Sequence, residues 1–196
     1  MSSYHKYVFD GNKFIGDFET MYANEDLEGY DSWHQENNRG LRYSLSTAIL
    51  NGYTFDKILD LGCGKGCYTN TLKRSNNDVH GVDGSKNAIS KAKVRFGDIQ
   101  FVYSDISEYV NTISERYDIV VFMEVLSYLK NWKDIINKVS FFTRYLYVTL
   151  YLPPNPSGYI KNFEDFKEAI TDRYEIKHDI FIASESCLLL FSESKR

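Results

Sequence analysis

Cysteine, proline and tryptophan are scarce in this chain: three, three and two residues among 196. Three cysteines are too few, and odd in number, for a disulfide framework, which points to the cytoplasm. Cys63 and Cys67 stand four apart and Cys187 has no cysteine near it, so no structural zinc site, and no other metal site, is expected. No apolar run is long enough to span a bilayer, and Met1–Phe9 lacks the apolar core of a signal peptide. A membrane role is not expected. Nor does any Lys/Arg-rich block occur. With a net charge of −4, that absence argues against a nucleic-acid partner. Internal repeats and low-complexity segments are also missing.

Aromatic residues, by contrast, are plentiful. The 16 Tyr and 13 Phe can fill a core and still leave rings for a pocket wall. The length suits one domain. Residues 1–35 are polar and aromatic, and Gly11, Gly16 and Gly29 interrupt any long element there; this segment reads as a cap over a domain formed by 36–196. A helix is expected over Glu36–Leu50, with Leu41, Leu45, Ala48 and Ile49 on one face, ended by Asn51-Gly52. Short apolar runs then alternate with amphipathic segments. Strands are expected at Lys57–Leu61, Val79–Val82, Gln100–Ser104, Asp118–Met123 and Tyr145–Tyr151. Helices are expected after the first glycine turn, after Ser85, at Asp134–Phe142 and at Asn162–Ile170. Tyr174–Ile182 and Cys187–Phe191 close the chain as an antiparallel pair. This alternation predicts an α/β fold: a Rossmann-like, seven-stranded, mostly parallel sheet with helices on both faces and a C-terminal antiparallel strand.

The informative stretch is Ile58-Leu59-Asp60-Leu61-Gly62-Cys63-Gly64-Lys65-Gly66, a strand running into a glycine turn and then a helix. Glycines there let the backbone approach a ligand closely. Asp83 ends the next strand, where a carboxylate can accept hydrogen bonds from both hydroxyls of a ribose. A P-loop needs a Gly-Lys-Ser/Thr ending, and Lys65 is followed by Gly66. The dinucleotide fingerprint G-x-G-x-x-G fails because the third glycine falls one position early. Asp60 also sets an anion just before the turn, where a pyrophosphate would be repelled. A cationic ligand without phosphates suits such a turn better, and S-adenosylmethionine (SAM), with its sulfonium and ammonium groups, fits that description.

Four motifs in order resemble the class I SAM-dependent methyltransferases: Asp60–Gly66, Gly81-Val82-Asp83-Gly84-Ser85, Val102-Tyr103-Ser104-Asp105-Ile106, and Tyr117–Leu126. The resemblance covers about Lys57 to Tyr151. It implies that Asp60, Gly62, Cys63 and Gly64 meet the methionine part of SAM, that Asp83, with Gly84 and Ser85 beside it, holds the ribose, and that Asp105 and Ile106 flank the adenine. S-adenosylhomocysteine would be the product. A narrower resemblance, to the nodulation N-methyltransferases that modify amino-sugar oligosaccharides, rests on Tyr30-Asp31-Ser32-Trp33, Asn38-Arg39 and Val121–Leu129.

Catalytic candidates are His34, Glu124 and Tyr128. His34 has a side chain suited to proton transfer near pH 7, or is an ordinary surface histidine. Glu124, after an apolar strand, lines the methionine site, acts as a base, or forms a plain cap or salt bridge. Tyr128 and Tyr151 line an acceptor pocket or fill the core. Arg39 or Arg42 pairs with the SAM carboxylate, or both are solvated. The 1–35 segment would cover the pocket, and the Pro153–Gly158 loop would form another wall. The expected acceptor is a small molecule, a carbohydrate or sugar nucleotide, bound by a monomer or homodimer. A small metabolite or natural product is the alternative acceptor. An NAD-dependent oxidoreductase and a non-catalytic SAM-binding module are the alternative functions.

Overall fold

Alternation along the central strands sets the architecture. In β1 (Lys57–Leu61), Leu59 and Leu61 join one apolar cluster while Ile58 joins another on the opposite face. In the strand Tyr117–Met123, Val120 and Phe122 face the first cluster, and Ile119 and Val121 the second. Successive side chains point to opposite faces of a strand, so both faces of the sheet are covered by helices, as a parallel sheet requires. The computed structural model describes residues 4–11, 13–37 and 40–196.

The other strands of this sheet are β2 (Asp78–Asp83), β3 (Gln100–Tyr103), β4 (the Tyr117–Met123 strand), β5 (Thr143–Tyr151), β6 (Tyr174–Ile182) and β7 (Cys187–Ser194). Their order in the sheet is β3-β2-β1-β4-β5-β7-β6. Strands β1 to β5 pair in parallel, and β7 runs antiparallel between β5 and β6. The expected fold class is therefore observed. The order reverses between β1 and β4, and the crevice above their carboxyl ends is where an open α/β sheet binds ligands.

Besides the one-turn helices His5–Val8 and Ile106–Tyr109, the helices are α1 (Phe18–Glu28), α2 (Leu41–Asn51), α3 (Cys67–Leu72), α4 (Lys86–Arg95), α5 (Trp132–Val139) and α6 (Phe163–Thr171). Side-chain caps explain several starts: Ser85 Oγ accepts the Ala88 N–H, and Asn162 Oδ1 accepts that of Asp165. Three helical expectations need correction. The helix expected from Glu36 begins at Leu41, and its buried residues are Ser46 and Leu50, while Leu41 and Ala48 are exposed. The Asp134–Phe142 helix is shifted, running from Trp132 to Val139. The glycines of the first segment do not prevent an 11-residue helix: α1 starts at the Asp17 cap and stops at Gly29, whose φ of 68° makes a left-handed C-cap.

That segment forms a third cluster. Tyr4, Val8, Met21 and Tyr22 are buried in it, and Phe9, Phe14, Phe18 and Trp33 pack around them with Tyr128 of the sheet domain. Phe14 stacks on Tyr128 at 5.3 Å between centroids, Phe18 meets it edge-on at 5.5 Å, and Trp33 lies 5.7 Å away. The described residues of this segment thus pack across the carboxyl ends of the strands, and are termed the lid below.

Candidate active site

The glycine turn after β1 is built by the chain's own acceptors. The Gly62 and Cys63 N–H groups donate to Val82 O at 2.8 and 3.0 Å, and Gly64 N–H donates to Asp83 Oδ2 at 2.9 Å. Lys65 N–H donates to Gln35 Oε1 of the lid at 2.8 Å, and Gly66 N–H to Cys63 O at 3.0 Å. Every amide of the turn is therefore used internally. Gly62 has φ 84°, and a Cβ there would lie 2.5 Å from Val125 Cγ2. Gly62→Ala should cost about 1–3 kcal/mol through this clash and the left-handed backbone; urea unfolding of the ligand-free protein measures it, and an unchanged midpoint would refute the fit described.

A cavity of about 450 Å³ lies over this turn, within the size range of small-molecule sites. Its floor comes from the strand ends: Asp60, Gly62 and Cys63 at the end of β1, Asp83 and Gly84 at that of β2, Asp105 and Ile106 just past β3, and Met123, Glu124 and Val125 at the end of β4. Tyr43 and Tyr68 close one end. The roof is the lid, through Phe14–Glu19, Tyr22, Trp33 and Gln35.

Asp60 is buried, and its Oδ2 accepts the Thr69 hydroxyl at 2.6 Å. Its Oδ1, equally buried, has no hydrogen-bond partner among the described residues. Burial raises its carboxyl pKa to about 7, against the Thr69 bond. Asp83 accepts the Ser85 N–H on Oδ1 at 2.8 Å as well as the Gly64 N–H on Oδ2, and burial pushes its pKa up despite those bonds. Asp105 caps the one-turn helix Ile106–Tyr109, with Oδ1 accepting the amides of Ser107 and Glu108.

Glu124 leaves β4 in the left-handed region, at φ 59°, a strained conformation for a residue with a Cβ. Arg42 Nε lies 2.8 Å from its Oε1, and Arg42 Nη1 is 2.8 Å from Glu185 Oε2. Burial pushes the Glu124 pKa up, and the guanidinium opposes it. Arg42 is thus held between two carboxylates, which leaves it poorly placed for a ligand carboxylate. Arg39 lies outside the described residues.

Nine expected site residues meet at this cavity: Asp60, Gly62, Cys63, Asp83, Gly84, Asp105, Ile106, Glu124 and Tyr128. Gly64 and Ser85 do not line it. The Gly64 amide is turned to Asp83, and Ser85 caps α4 and donates its hydroxyl to Glu19 Oε2 at 2.6 Å. His34 is also off the cavity wall; its ring packs near Tyr4, 6.2 Å between centroids. The Pro153–Gly158 loop and Tyr151 contribute no lining residue either. His80 and His178 serve structure, bonded to the hydroxyls of Tyr117 and Tyr53. Sequence reasoning missed Gln35 and Glu19, polar lid residues that contact the turn and α4.

Lys65, the one cation of the turn, is buried and points away from the cavity, into the lid. Its Nζ lies 3.0 Å from Glu25, 2.8 Å from Asp31 and 3.4 Å from Glu36. Residues 58–144 match the family model described as Methyltransferase domain. Over that span the chain is similar to methyltransferase domains. The ubiquinone biosynthesis O-methyltransferase of Aliivibrio fischeri is 31% identical over 116 residues, 57% of this chain and 49% of that protein. The Photobacterium profundum enzyme of the same name is 32% identical over 128 residues, 62% of this chain and 54% of that one. The chain spans about half the length of the curated relatives it matches. Among solved structures, the N-methyltransferase NodS of Bradyrhizobium japonicum, in complex with S-adenosylhomocysteine, superposes with a TM-score of 0.72 at 18% identity, over 89% of this chain and 98% of that one. The magnesium protoporphyrin IX methyltransferase of Synechocystis gives 0.68 at 16% identity, over 90% and 96%. These last two likenesses are of fold. Among the described residues, no helix is long and apolar enough to cross a membrane.

Proposed function

We propose that the protein binds SAM across the Gly62–Gly66 turn and moves its methyl group to an oxygen or nitrogen atom of a small acceptor. The observation that carries this reading is Asp60 Oδ1, a buried carboxylate oxygen on the cavity wall that takes no donor from the described residues. A buried, unmatched carboxylate is costly, and an ammonium group is its natural complement. The same turn argues against a pyrophosphate, because its amides are spent. That favours SAM over the NAD alternative.

When bound, SAM supplies an electrophilic methyl group on a sulfonium sulfur. The chain supplies position, charge and cover. Asp60 would hold the ammonium. Asp83 would hold the ribose hydroxyls with the lone pairs its two amide bonds leave open. Asp105 and Ile106 would flank the adenine. The lid rings keep water out, and alignment of this kind is worth on the order of 7–11 kcal/mol of barrier. Glu124 would accept the acceptor's proton, a step worth roughly 10²–10⁴-fold when a proton must leave. Tyr128, beneath the lid and beside Glu124, would orient the acceptor. Residues 1–35 act as the lid and 36–196 as the domain beneath it. We read the acceptor as a carbohydrate, on the short sequence resemblance to the nodulation N-methyltransferases and the aromatic lid. A small metabolite is the second reading, favoured by the O-methyltransferases among the relatives. The reaction would take place in the cytoplasm, in a monomer or homodimer.

Two measurements test this reading. Calorimetric titration should register S-adenosylhomocysteine and not NADH; the reverse would restore the oxidoreductase alternative, and binding without methyl transfer to any acceptor would leave a SAM-binding module. The second is pH dependence. Asp60 must be ionised to hold an ammonium, and its free-state pKa is about 7. Affinity for S-adenosylhomocysteine should therefore rise roughly tenfold from pH 6 to pH 8, as ligand binding displaces the Asp60 proton. Asp60→Asn should flatten that dependence.

A further inference from the structure

We infer that the lid supplies a cofactor contact of its own: the Tyr22 hydroxyl donates its proton to a ribose oxygen of SAM beside Asp83. This rests on the SAM-binding reading and adds to it a residue from outside the strand ends.

The direction of that proton follows from the bonds around it. Lys65 N–H can only donate, so the side-chain oxygen of Gln35 faces it, at 2.8 Å. Ser32 O can only accept, so Gln35 Nε2 faces that side, at 3.4 Å. Nε2 then donates to the Tyr22 oxygen at 2.8 Å. With its oxygen serving as an acceptor, the Tyr22 hydroxyl must send its proton elsewhere, and it meets no acceptor among the described residues. Burial and the Asp83 charge push the Tyr22 pKa well up, so the proton stays in place.

The hydroxyl lies over the glycine turn. A Cβ added to Gly64 would come within 2.8 Å of it, and Tyr22 lines the cavity. Gly64 N–H in turn donates to Asp83, the acid read as holding the ribose. Each Asp83 oxygen already takes a backbone amide, and no bond from Tyr22 reaches either. A ribose hydroxyl that donates to Asp83 keeps two lone pairs, and one of them can take the Tyr22 proton. A buried donor left without a partner is costly, and this contact removes that cost. The Tyr68 hydroxyl, also unpartnered among the described residues, belongs to a different part of the cavity, the end closed by Tyr43. Because Gln35 and Tyr22 both come from the lid, the contact ties lid closure to cofactor binding.

Calorimetry with the full chain tests this. Tyr22→Phe removes the hydroxyl and keeps the ring. It should raise the Kd for S-adenosylhomocysteine roughly tenfold, the effect of one hydrogen bond. With the 2′-deoxy or the 3′-deoxy analogue of that ligand, whichever lacks the partner oxygen, parent and variant should bind alike. An unchanged Kd for S-adenosylhomocysteine would overturn the inference. So would the same loss on both deoxy analogues, which would mark Tyr22 as packing the lid and not as touching the ribose. A parent chain that takes up no S-adenosylhomocysteine would instead refute the SAM-binding reading, and this inference with it.

Discussion

Lys65→Met should release the lid while leaving the sheet folded. The Lys65 ammonium is 4% exposed and Glu25 is 2% exposed, so removing the cation takes one of its two cationic partners from a buried carboxylate. Burial alone would pull the Lys65 pKa down; Asp31 and Glu25 pull harder and hold it above its ordinary value. Breaking a buried pair by removing one partner costs about 3–5 kcal/mol. Because Lys91 still reaches Glu25 Oε2 at 2.9 Å, the low end applies, roughly 3 kcal/mol. Set against 1.4 kcal/mol per tenfold, that should speed amide exchange in Phe18–Glu28 by about 100-fold, with β1 and β4 unchanged. Exchange mass spectrometry reads this directly. Equal protection in mutant and parent would mean that the ion cluster does not hold the lid, and Lys65→Arg should restore part of the protection.

Asp83→Ala should abolish measurable cofactor binding. Its carboxylate orders the turn through Gly64 and the start of α4 through Ser85, and it faces the cavity. Hydrogen bonds to a charged group are worth about 1.5–3 kcal/mol each. Losing two to a ribose, with the turn loosened, should raise the Kd for S-adenosylhomocysteine by at least about 100-fold. Calorimetry measures this, and circular dichroism checks that the sheet is retained. An unchanged Kd would remove Asp83 from the ribose role and leave it a purely structural cap.

The sheet was legible in the sequence because its strands are short apolar runs set apart by turn residues. Asp118–Met123 reads as a strand covered on both faces, and Val120 and Ile119 do face opposite clusters. The floor of the cavity was legible for a related reason. Ligand-facing residues of such a sheet fall at strand ends, and Asp60, Asp83, Asp105 and Glu124 each follow an apolar run. A cover from residues 1–35 was expected, but how it is built was not legible. Helix α1 buries Glu25 alongside Met21 and Tyr22, so no apolar stripe marks it. What stabilises that carboxylate is Lys65 and Lys91, 40 and 66 positions away (65 − 25 and 91 − 25), a pairing that no local pattern encodes. Gln35 and Glu19 escaped for the same reason: their partners Lys65 and Asn87 are distant in sequence. His34 drew attention through its chemistry, and the fold turns it toward Tyr4 instead.

The most direct test is a crystal of the full chain soaked with S-adenosylhomocysteine. Density should lie across Gly62–Gly66, with the amino group within hydrogen-bond reach of Asp60 Oδ1 and both ribose hydroxyls on Asp83. Ligand bound elsewhere, or Asp60 Oδ1 still without a partner beneath a bound ligand, would contradict the account at its root.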